Sequence, residues 1–515
     1  MSSVAESRPA KTQTKSDRLA QTRDARRVPP IAAFGLLLLW CLFLFFYGLG
    51  QGEFYRTECL RAIVAQQVLD SGNWLVPTLY GEPLFTKPPG MYAAIALASL
   101  PFGHVTEWSA RLPSALAATI TAFLMFGYFR RVLGPGGGLL AGLLAPVSLL
   151  WLDKATAADI DMLQVAWVSG AILCFLRVLE GAEDEPASQG TGRWSWWLAA
   201  LACVAGGVLT KWTAPAFFYV SIVPLLWWRG RLRLLWCRKH LVSAALAASV
   251  CVAWAAAAVS LAGWDVFYTT VSQEALQRLA PSHHVHRLPW LGMVFHPLLV
   301  FAAALPVSAL VPLTLRRGFS ARFDARGRRL LEALHCWTWP NLLFWSLLPQ
   351  HNIRYFFPLA PGLTGLAVLA LYAWQHDRQL LRWFGLHPRV ILIALLIGWV
   401  AVKLTYVHVI VPERLRGREP RAKGEALAAQ VPADETLYLF RLKDEGIMFY
   451  YGRPARRLAN PEQLTSRRQP TYCILDAGDW QNWPFKERTQ PLLQLTDEQQ
   501  APILLVRLQP LERSP

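Results

Sequence analysis

Residues 57–89 read TECLRAIVAQQVLDSGNWLVPTLYGEPLFTKPP, and this segment decides how the rest of the chain is arranged. It follows the first long apolar run and carries too many polar and charged side chains to remain in a lipid hydrocarbon core. It contains Glu58, Arg61, an SGNW turn and a rigid Lys-Pro-Pro step that ends at Pro89. The segment therefore predicts a polar outer loop, after which the chain re-enters the bilayer.

The composition places the chain among polytopic membrane proteins. Of its 515 residues, 54% are hydrophobic and 17% are charged, against about a quarter charged in an average soluble domain. The 51 lysines and arginines outnumber the 34 acidic residues. This excess lies in short links between apolar runs, which is typical of cytoplasmic loops and not of a nucleic-acid-binding surface. We therefore predict a membrane protein with no nucleic-acid partner.

The apolar runs predict a bundle of about eleven transmembrane helices, or about thirteen if the short run 90–102 crosses fully together with a partner span. The predicted crossings include residues 134–152, 194–209 and 337–348, whereas 264–289 is expected to be an exposed loop and 316–329 a basic loop. The first run, 31–50, has the length of one bilayer crossing, and the basic tail 1–30 before it predicts a cytoplasmic amino terminus. With this orientation the loop 51–89 lies outside. The expected location of the transmembrane domain, 31–411, is a bacterial inner membrane.

Residues 412–515 are more polar and predict a second domain. Residues 424–430 have an amphipathic helical pattern, and residues 436–440, 471–476 and 503–508 have the apolar and β-branched composition of strands. About one hundred residues are enough for a small independent domain. We therefore predict a soluble α/β domain on the extracytoplasmic side.

The cysteines and histidines do not predict a metal site. The eight cysteines fall mostly inside apolar runs, and the sequence has no CxxC pair. His283, His284 and His286 share a polar segment, but their spacing matches no standard zinc site. We therefore predict no bound metal, and we assign His283 and His284 to contacts with an acceptor or a lipid headgroup.

Several short motifs occur in an order that resembles a known family. They are TECLRA, SGNWLVPTLYGEPLFTKPPGMY, ARLPSAL, LTKWTAP and IRYFFPLAPGL, between residues 57 and 363. In these motifs the chain resembles the polytopic glycosyltransferases of the GT-C fold, and especially the aminoarabinose transferases and the dolichyl-phosphate-mannose protein mannosyltransferases. The resemblance covers residues 31–375 and is most specific at SGNW, KPP and RLPSA.

The resemblance implies transfer of a sugar from a polyprenyl-phosphate carrier to a lipid, glycan or protein acceptor on the non-cytoplasmic side. The family opens its first outer loop with an Asp-Glu pair, which is matched here by Thr57 and Glu58. Because the Asp is missing, either Glu58 has taken its role, or the acceptor differs, or the activity is altered. The second acidic site of the family is matched by Asp161, with Asp159 as the less favoured match.

The chemistry of sugar transfer explains these residue types. The acceptor must lose a proton and the departing phosphate must be neutralised. We predict that Glu58 is the general base or orients the acceptor, and that Asp161 supports it or contacts the sugar. The cations expected to contact phosphate are Lys87, Lys211 and Arg354. Further substrate contacts are expected at Thr57, Arg61 and Tyr355.

Alternative interpretations remain open at this stage. Glu58 and Arg61 are spaced as a helical surface pair, Asp161 is placed to cap a helix, and lysines at membrane boundaries commonly extend towards water. For the whole chain, the alternatives are a transporter or flippase of a polyprenyl-linked lipid and an inactive scaffold. A transporter typically has an internal repeat and polar residues near the bilayer midplane, and neither feature is visible here.

Overall fold

The apolar runs fold as helices that pack into one bundle. The structure is a computed structural model that describes residues 29–183, 190–279, 289–349, 352–376, 387–442, 444–464 and 469–510. The helices of the bundle, in chain order, are α1 (Pro30–Cys41), α2 (Thr57–Ser71), α3 (Gly90–Ser99), α4 (Glu107–Leu144), α5 (Leu149–Ala155), α6 (Ile160–Glu183), α7 (Trp194–Thr210), α8 (Ala214–Trp228), α9 (Arg238–Ala262), α10 (Trp264–Leu279), α11 (Pro289–Ala303), α12 (Ala325–Ser346), α13 (Ala360–His376) and α14 (Pro388–Thr405).

Apolar helices account for most of these elements. Among the described residues, five helices are long and apolar enough to cross a membrane, and five shorter apolar helices accompany them. The long ones are Glu107–Leu144, Ile160–Glu183, Arg238–Ala262, Ile353–Gln375 and Pro388–Gln430. The shorter ones are Ile31–Phe46, Gly90–Phe102, Trp194–Thr210, Ala214–Trp228 and Gly292–Ala303. The predicted class, a polytopic helical membrane protein, is confirmed.

Two of the predicted spans are parts of longer helices. The prediction counted residues 134–152 and 337–348 as separate crossings. In the structure, residues 135–144 form the second limb of α4, and residues 337–346 form the apolar end of α12, whose first half is charged. Helix α12 therefore begins inside the basic segment that was predicted to be a loop.

Helix burial separates the centre of the bundle from its rim. In Ile160–Glu183 and Ile353–Gln375, 72% and 89% of the apolar window is buried by the rest of the chain. In Arg238–Ala262 and Pro388–Gln430 the buried share is only 17%, although both are strongly apolar. The rim helices therefore present apolar faces suited to lipid.

A reversal at Gly134 divides α4 into two limbs. Gly134 has φ 81°, in the left-handed region that favours glycine, and Pro135 follows it. The second limb then packs closely on the first: a Cβ on Gly138 would lie 2.7 Å from the carbonyl oxygen of Phe126 and 2.5 Å from Cβ of Arg130. Glycine at position 138 therefore permits the close approach of the two limbs.

The polar segment 57–89 folds into one helix followed by a hairpin. Helix α2 ends at Gly72, which has φ 68° and donates its N–H to the carbonyl oxygen of Val68. The strands β1 (Thr78–Leu79) and β2 (Glu82–Pro83) pair in antiparallel fashion. They are joined by a tight turn whose two central residues, 80 and 81, both have positive φ.

Residues 264–279 differ from the sequence-based expectation, which treated residues 264–289 as an exposed loop. In the structure, Trp264–Leu279 is a helix, α10. Phe267 of this helix packs on Phe85 of the hairpin and on Trp254 of α9, with ring centres 5.1 and 6.1 Å apart. The aromatic contacts explain why a polar segment is held as a helix against the bundle.

The carboxy-terminal part contains a five-stranded sheet with the strand order β4-β3-β5-β7-β6. Its strands are β3 (Leu437–Phe440), β4 (Ala455–Leu458), β5 (Thr471–Asp476), β6 (Thr489–Thr496) and β7 (Pro502–Leu508). Strand β3 is parallel to β4 and β5, while β7 is antiparallel to β5 and β6. The predicted α/β domain is present, and its three predicted strands are β3, β5 and β7.

The helices α15 (Val411–Leu415), α16 (Pro420–Gln430) and α17 (Glu445–Tyr451) accompany the sheet, and α17 packs directly on α2 of the polar segment. Ile63 and Val64 of α2 share one buried apolar cluster with Leu427 and Ile447 of the sheet domain. The hydroxyl of Tyr450 donates to Glu107 Oε1 at 2.8 Å. The domain therefore covers part of segment 57–89.

Candidate active site

The polar centre lies where the link between α5 and α6 meets the first turns of α2 and α4. Ser114 of α4 donates its hydroxyl to the carbonyl oxygen of Asp159 at 3.1 Å. Arg61 of α2 donates Nη1 to the carbonyl oxygen of Ala158 at 3.1 Å. Two helices thus hold the backbone of this link, so the acidic side chains that it carries are fixed in position.

Glu58 is buried, and both of its carboxylate oxygens are engaged. Arg111 of α4 makes a two-point contact, with Nε donating to Oε1 at 2.9 Å and Nη2 donating to Oε2 at 3.2 Å. The backbone N–H groups of Ala158 and Tyr55 donate to Oε1 at 2.8 Å and to Oε2 at 3.0 Å. Glu58 therefore joins three segments of the chain, which is the geometry of a positioning residue.

Arg61 connects Thr57 with Asp159. Its Nη1 atom donates to the carbonyl oxygen of Thr57 at 3.0 Å and to the hydroxyl of Thr57 at 2.9 Å. Its Nη2 atom lies 3.2 Å from Asp159 Oδ1, and Lys154 Nζ lies 2.9 Å from Asp159 Oδ2. Because Asp159 is only 2% exposed, it is a buried carboxylate held between two cations.

These two cations control the ionisation of Asp159. Burial by itself would raise the pKa of this carboxyl group, but Arg61 and Lys154 outweigh burial and hold the pKa below its usual range. Burial would lower the pKa of Lys154, but Asp159 and Asp153 outweigh it and raise that pKa. Both groups are charged at neutral pH. Asp159 is therefore better suited to accept a hydrogen bond from a ligand than to take up a proton.

Asp161 and Lys211 form a second buried pair. Lys211 Nζ lies 2.6 Å from Asp161 Oδ1, and each side chain is 4% exposed. Lys211 occupies the break between α7 and α8, and its Nζ lies 5.1 Å from the centre of the Tyr355 ring. The other oxygen of Asp161, Oδ2, makes no hydrogen bond to the residues that the structure describes. One oxygen of Asp161 is therefore not engaged by the described residues.

Arg354 contributes a further cation to this end of the bundle. It begins the 3-10 segment Ile353–Leu359, where Asn352 Oδ1 accepts its backbone N–H at 3.0 Å. Its charge acts on Asp159 and helps to keep the pKa of that carboxyl group low. Within the described ranges its guanidinium forms no ion pair, so it can receive an anionic ligand.

Lys87 lies on the hairpin side of the same end. It forms a short ion pair with Glu274 of α10 and donates to the carbonyl oxygen of Thr86 at 2.9 Å. Tyr92 of α3 lies within electrostatic range of both Arg61 and Glu274. The Lys87 pair therefore flanks the Arg61 group.

The structure brings most of the predicted site residues to one end of the bundle, in two groups. Thr57, Glu58 and Arg61 form the first group. The second consists of Asp161, Lys211 and Tyr355. Arg354 acts electrostatically on the first group through Asp159, and Lys87 flanks that group. His283 and His284 lie outside the described residues, so their predicted contacts remain predictions.

Sequence reasoning did not select Arg111 or Lys154, and it ranked Asp159 below Asp161. Arg111 belongs to the RLPSA motif, and Lys154 directly precedes the acidic link, so both stood in noticed segments. The sequence did not indicate which acidic residue pairs with Arg111 or with Lys154. Arg111 pairs with Glu58, 53 residues away, and spacing along the chain does not indicate such a pair.

A third polar group, also absent from the predictions, borders the link from α14 and α15. Arg414 Nη1 lies 3.1 Å from Asp153 Oδ1 and donates to the Tyr406 hydroxyl at 3.2 Å. Lys403, about one turn before Tyr406, is 1% exposed and has its Nζ 5.9 Å from the Tyr406 ring centre. In the part of the chain that is described, Lys403 makes no ion pair. A buried ionisable residue in a spanning helix is a candidate for function.

No metal-binding group is found among the described residues. Within those ranges, no three His, Cys, Asp or Glu side chains are placed to share a metal ion. The absence of a metal stays a prediction for the whole chain, because His283 and His284 lie outside these ranges.

Comparison with known sequences supports the resemblance noted above. The family described as dolichyl-phosphate-mannose-protein mannosyltransferase matches residues 86–256. The undecaprenyl phosphate-alpha-4-amino-4-deoxy-L-arabinose arabinosyl transferase of Erwinia tasmaniensis is 30% identical over 315 residues, which cover 59% of this chain and 53% of that protein. The protein of the same name from Pseudomonas aeruginosa is 29% identical over 339 residues, covering 62% and 58%. The chain thus matches a little over half the length of these relatives.

Comparison with solved structures addresses the fold. The crystal structure of ArnT from Cupriavidus metallidurans bound to undecaprenyl phosphate has a TM-score of 0.70 at 17% identity, covering 92% of this chain and 97% of that one. The apo oligosaccharyltransferase of Archaeoglobus fulgidus has a TM-score of 0.54 at 12% identity, covering 88% and 70%. At these identities the likeness concerns the fold alone. The chain is therefore a multi-pass membrane protein of the GT-C fold, similar in sequence to the aminoarabinose transferases and the protein mannosyltransferases.

Proposed function

We propose that the chain is a glycosyltransferase that moves a sugar from a polyprenyl-phosphate carrier to an acceptor on the non-cytoplasmic side of the membrane. The observation that carries the proposal is the buried Asp161–Lys211 pair beside Asp159 and its two cations. The names of the matched relatives, undecaprenyl-phosphate aminoarabinose transferases, support a polyprenyl-phosphate donor.

The reaction makes two demands on the protein. An acceptor oxygen attacks the anomeric carbon of the sugar, the bond from that carbon to the carrier phosphate breaks, and its electron pair leaves with the phosphate. The acceptor's proton must pass to a base, and the charge of the departing phosphate must be met by cations. The base must be one of three carboxylates in this proposal, Glu58, Asp159 or Asp161, and the nearby cations must stabilise the phosphate.

Asp161 is the proposed base. Its Oδ2 atom makes no hydrogen bond within the described ranges, and Lys211 holds its other oxygen in place. Glu58 is less suited, because Arg111 and two backbone N–H groups already use both of its oxygens. Asp159 is less suited because Arg61 and Lys154 keep its pKa low. The chemical role first assigned to Glu58 is thus proposed for Asp161, and Glu58 is proposed to position the link through Ala158.

Thr57 and Arg61 are proposed to contact the acceptor or the sugar. In the family, the position of Thr57 carries a carboxylate. In this chain the Thr57 hydroxyl occupies that position and accepts a hydrogen bond from Arg61. The charge of Arg61 is balanced by Asp159. This substitution removes one negative charge from the first turn of α2. We therefore expect an acceptor that does not need that charge.

The carrier phosphate is proposed to bind between Arg354 and Lys87. Arg354 has no ion pair in the described part of the chain, and the Lys87 side chain is 24% exposed, so a phosphate can reach it and take the place of Glu274. Lys211 is proposed to stay with Asp161 and to contact substrate together with Tyr355. Because the basic links lie at the other ends of these helices, the site faces the non-cytoplasmic side in this proposal.

The test uses the purified full-length chain in lipid with a radiolabelled polyprenyl-phosphate sugar and follows release of the label. Asp161→Asn is expected to lower release per folded molecule at least about a hundredfold while donor binding persists, as for loss of a general base. Asp479→Asn, in a partly exposed pair with Arg441 in the sheet domain, is the matched control. Full activity in Asp161→Asn would remove Asp161 from the chemical step. Failure of the unaltered chain to release label from any donor tried would favour a transporter or an inactive scaffold.

A further inference from the structure

A charged cleft lies at the other end of the bundle from Asp161. The empty space between its lining residues, counted together with open solvent, is about 570 Å³. Four of the residues that line it are arginines, contributed by α4, by the end of α8 and by the start of α12: Arg131, Arg229, Arg326 and Arg329. The candidate active site uses none of them.

The charges in the cleft do not cancel. Two glutamates of α6 line it, Glu180 and Glu183. Glu180 Oε2 lies 3.1 Å from Arg131 Nε, and Glu183 lies 2.5 Å from Arg229 Nη1 and 2.7 Å from Arg329 Nη1. Among the described residues, four lining arginines against two lining glutamates leave two excess positive charges. Outside the lining, Glu332 lies 2.9 Å from Arg229 Nη2 and Arg177 lies 2.7 Å from Glu180 Oε2, so counting both neighbours leaves this excess unchanged. An anion is therefore the favoured ligand.

Some arginine donors remain accessible. The side chain of Arg131 is 53% exposed and that of Arg329 is 43% exposed despite their ion pairs. Arg326, in the first turn of α12, is exposed and forms no ion pair with any residue in the described ranges. The cleft thus combines arginines fixed by glutamate with arginine donors that face outward.

The position of the cleft corresponds to a membrane surface. Helix α6 runs from the active-site end at Ile160 to the cleft at Glu183, and its 24 residues span about 36 Å, close to the hydrocarbon thickness of a bilayer. Nearby, Trp227, Trp228 and Trp236 are 68%, 71% and 78% exposed. Exposed tryptophans of this kind typically lie at the level of lipid headgroups. Apolar side chains, among them Val132 and Leu330, complete the lining.

We infer that this cleft binds the phosphate headgroup of an anionic phospholipid in the leaflet opposite to the active site. The phosphate accepts hydrogen bonds from Arg326 and from the exposed part of Arg131, while the acyl chains run along the apolar lining and the lipid-facing helices. A bound lipid of this kind connects α4, α6 and α12, so it stabilises the bundle whether or not the chain transfers a sugar.

The experiment measures lipid binding to the full-length protein in detergent micelles. Phosphatidylglycerol is titrated against phosphatidylcholine, retained lipid is counted by mass spectrometry of the intact complex, and the unfolding midpoint Tm is recorded at each ratio. The variants are Arg326→Gln and Arg326→Glu, which break no ion pair among the described residues. The control is Arg193→Gln, which makes the same charge change at the exposed start of α7.

We expect the unaltered chain and Arg193→Gln to retain phosphatidylglycerol in preference to phosphatidylcholine and to gain Tm with it. Arg326→Gln should weaken this binding about fivefold and Arg326→Glu more, as expected for one basic residue at an anionic surface. Equal binding of phosphatidylglycerol by all four proteins overturns the inference, and so does equal retention of phosphatidylcholine. An equal gain in Tm from inorganic phosphate alone identifies a free-anion site and also overturns the lipid assignment.

Discussion

Lys211 Nζ lies 2.6 Å from Asp161 Oδ1, and both side chains are 96% buried from solvent. The two residues are 50 positions apart: Asp161 lies in the first turn of α6, and Lys211 lies in the break between α7 and α8. A buried pair of this kind is costly to break, because either partner alone leaves an uncompensated charge. The pair therefore couples the integrity of the site to the packing of α6 against α8.

A double-mutant cycle tests this coupling. Lys211→Met and Asp161→Asn are each expected to lower the free energy of unfolding by about 3–5 kcal/mol, the usual cost of removing one member of a buried pair. The double variant should lose less than the sum by about 0.5–3 kcal/mol. Unfolding of the purified protein followed by tryptophan fluorescence measures the three values. Additive losses would show that the two side chains do not interact in solution.

Glu58→Gln is expected to destabilise the protein before any effect on chemistry is considered. The change leaves the Arg111 guanidinium buried without its carboxylate, at a cost of about 3–5 kcal/mol. Loss of activity should therefore follow loss of folded protein, and activity per folded molecule should fall far less than in Asp161→Asn. Thermal unfolding and label release, measured on the same samples, separate the two effects. A Glu58→Gln protein with unchanged Tm and no activity would instead place Glu58 in the chemical step.

The acid stability of the protein should depend on Asp159. Its pKa is held below the usual range, so the folded state binds a proton less readily than the unfolded chain, whose Asp pKa is about 3.9. The resulting stabilisation is fully present above the unfolded pKa and is lost as the pH falls through the folded pKa. Asp159→Asn removes it and leaves Arg61 and Lys154 without their partner.

Tm measured from neutral pH down to about pH 3 tests this dependence. At neutral pH, the Tm of Asp159→Asn should be clearly lower than that of the unaltered chain. This difference in Tm should become smaller below about pH 4. The Tm of Asp479→Asn, a change in the sheet domain, should vary with pH in the same way as the Tm of the unaltered chain. A gap of constant size at every pH would contradict the assignment of this acid dependence to Asp159.

Gly90→Ala is expected to disturb the packing of α3 against α7. A Cβ at position 90 would lie 2.6 Å from the carbonyl oxygen of Leu209 and 2.9 Å from Thr210 Oγ1, and the backbone oxygen cannot turn away as a side chain does. We expect a loss of about 1–3 kcal/mol. Gly127→Ala is the matched control, because a Cβ there meets nothing within 4 Å; it should be neutral or stabilising by up to about 1 kcal/mol. Equal Tm values for both variants would contradict this.

The sequence identified the spans and the strands closely where the pattern is local. The apolar run predicted at 194–209 is the helix Trp194–Thr210, and the strand predicted at 471–476 is Thr471–Asp476. The prediction of an exposed loop failed at residues 264–279, which form a helix because Phe267 packs on α9 and on the hairpin. Such contacts come from distant parts of the chain, and periodicity within a window does not contain them.

The same division holds for the site. Sequence patterns alone located the acidic segment 153–161, the polar segment 57–89 and the cations at the helix boundaries, because hydropathy and charge are read residue by residue. Only the tertiary structure decided that Glu58 pairs with Arg111 and that Asp159 lies between Arg61 and Lys154. It also decided that, among the described residues, one oxygen of Asp161 has no hydrogen-bond partner. The physical reason is that a buried charge is defined by its partners, and helix packing brings those partners together across 50 or more residues of chain.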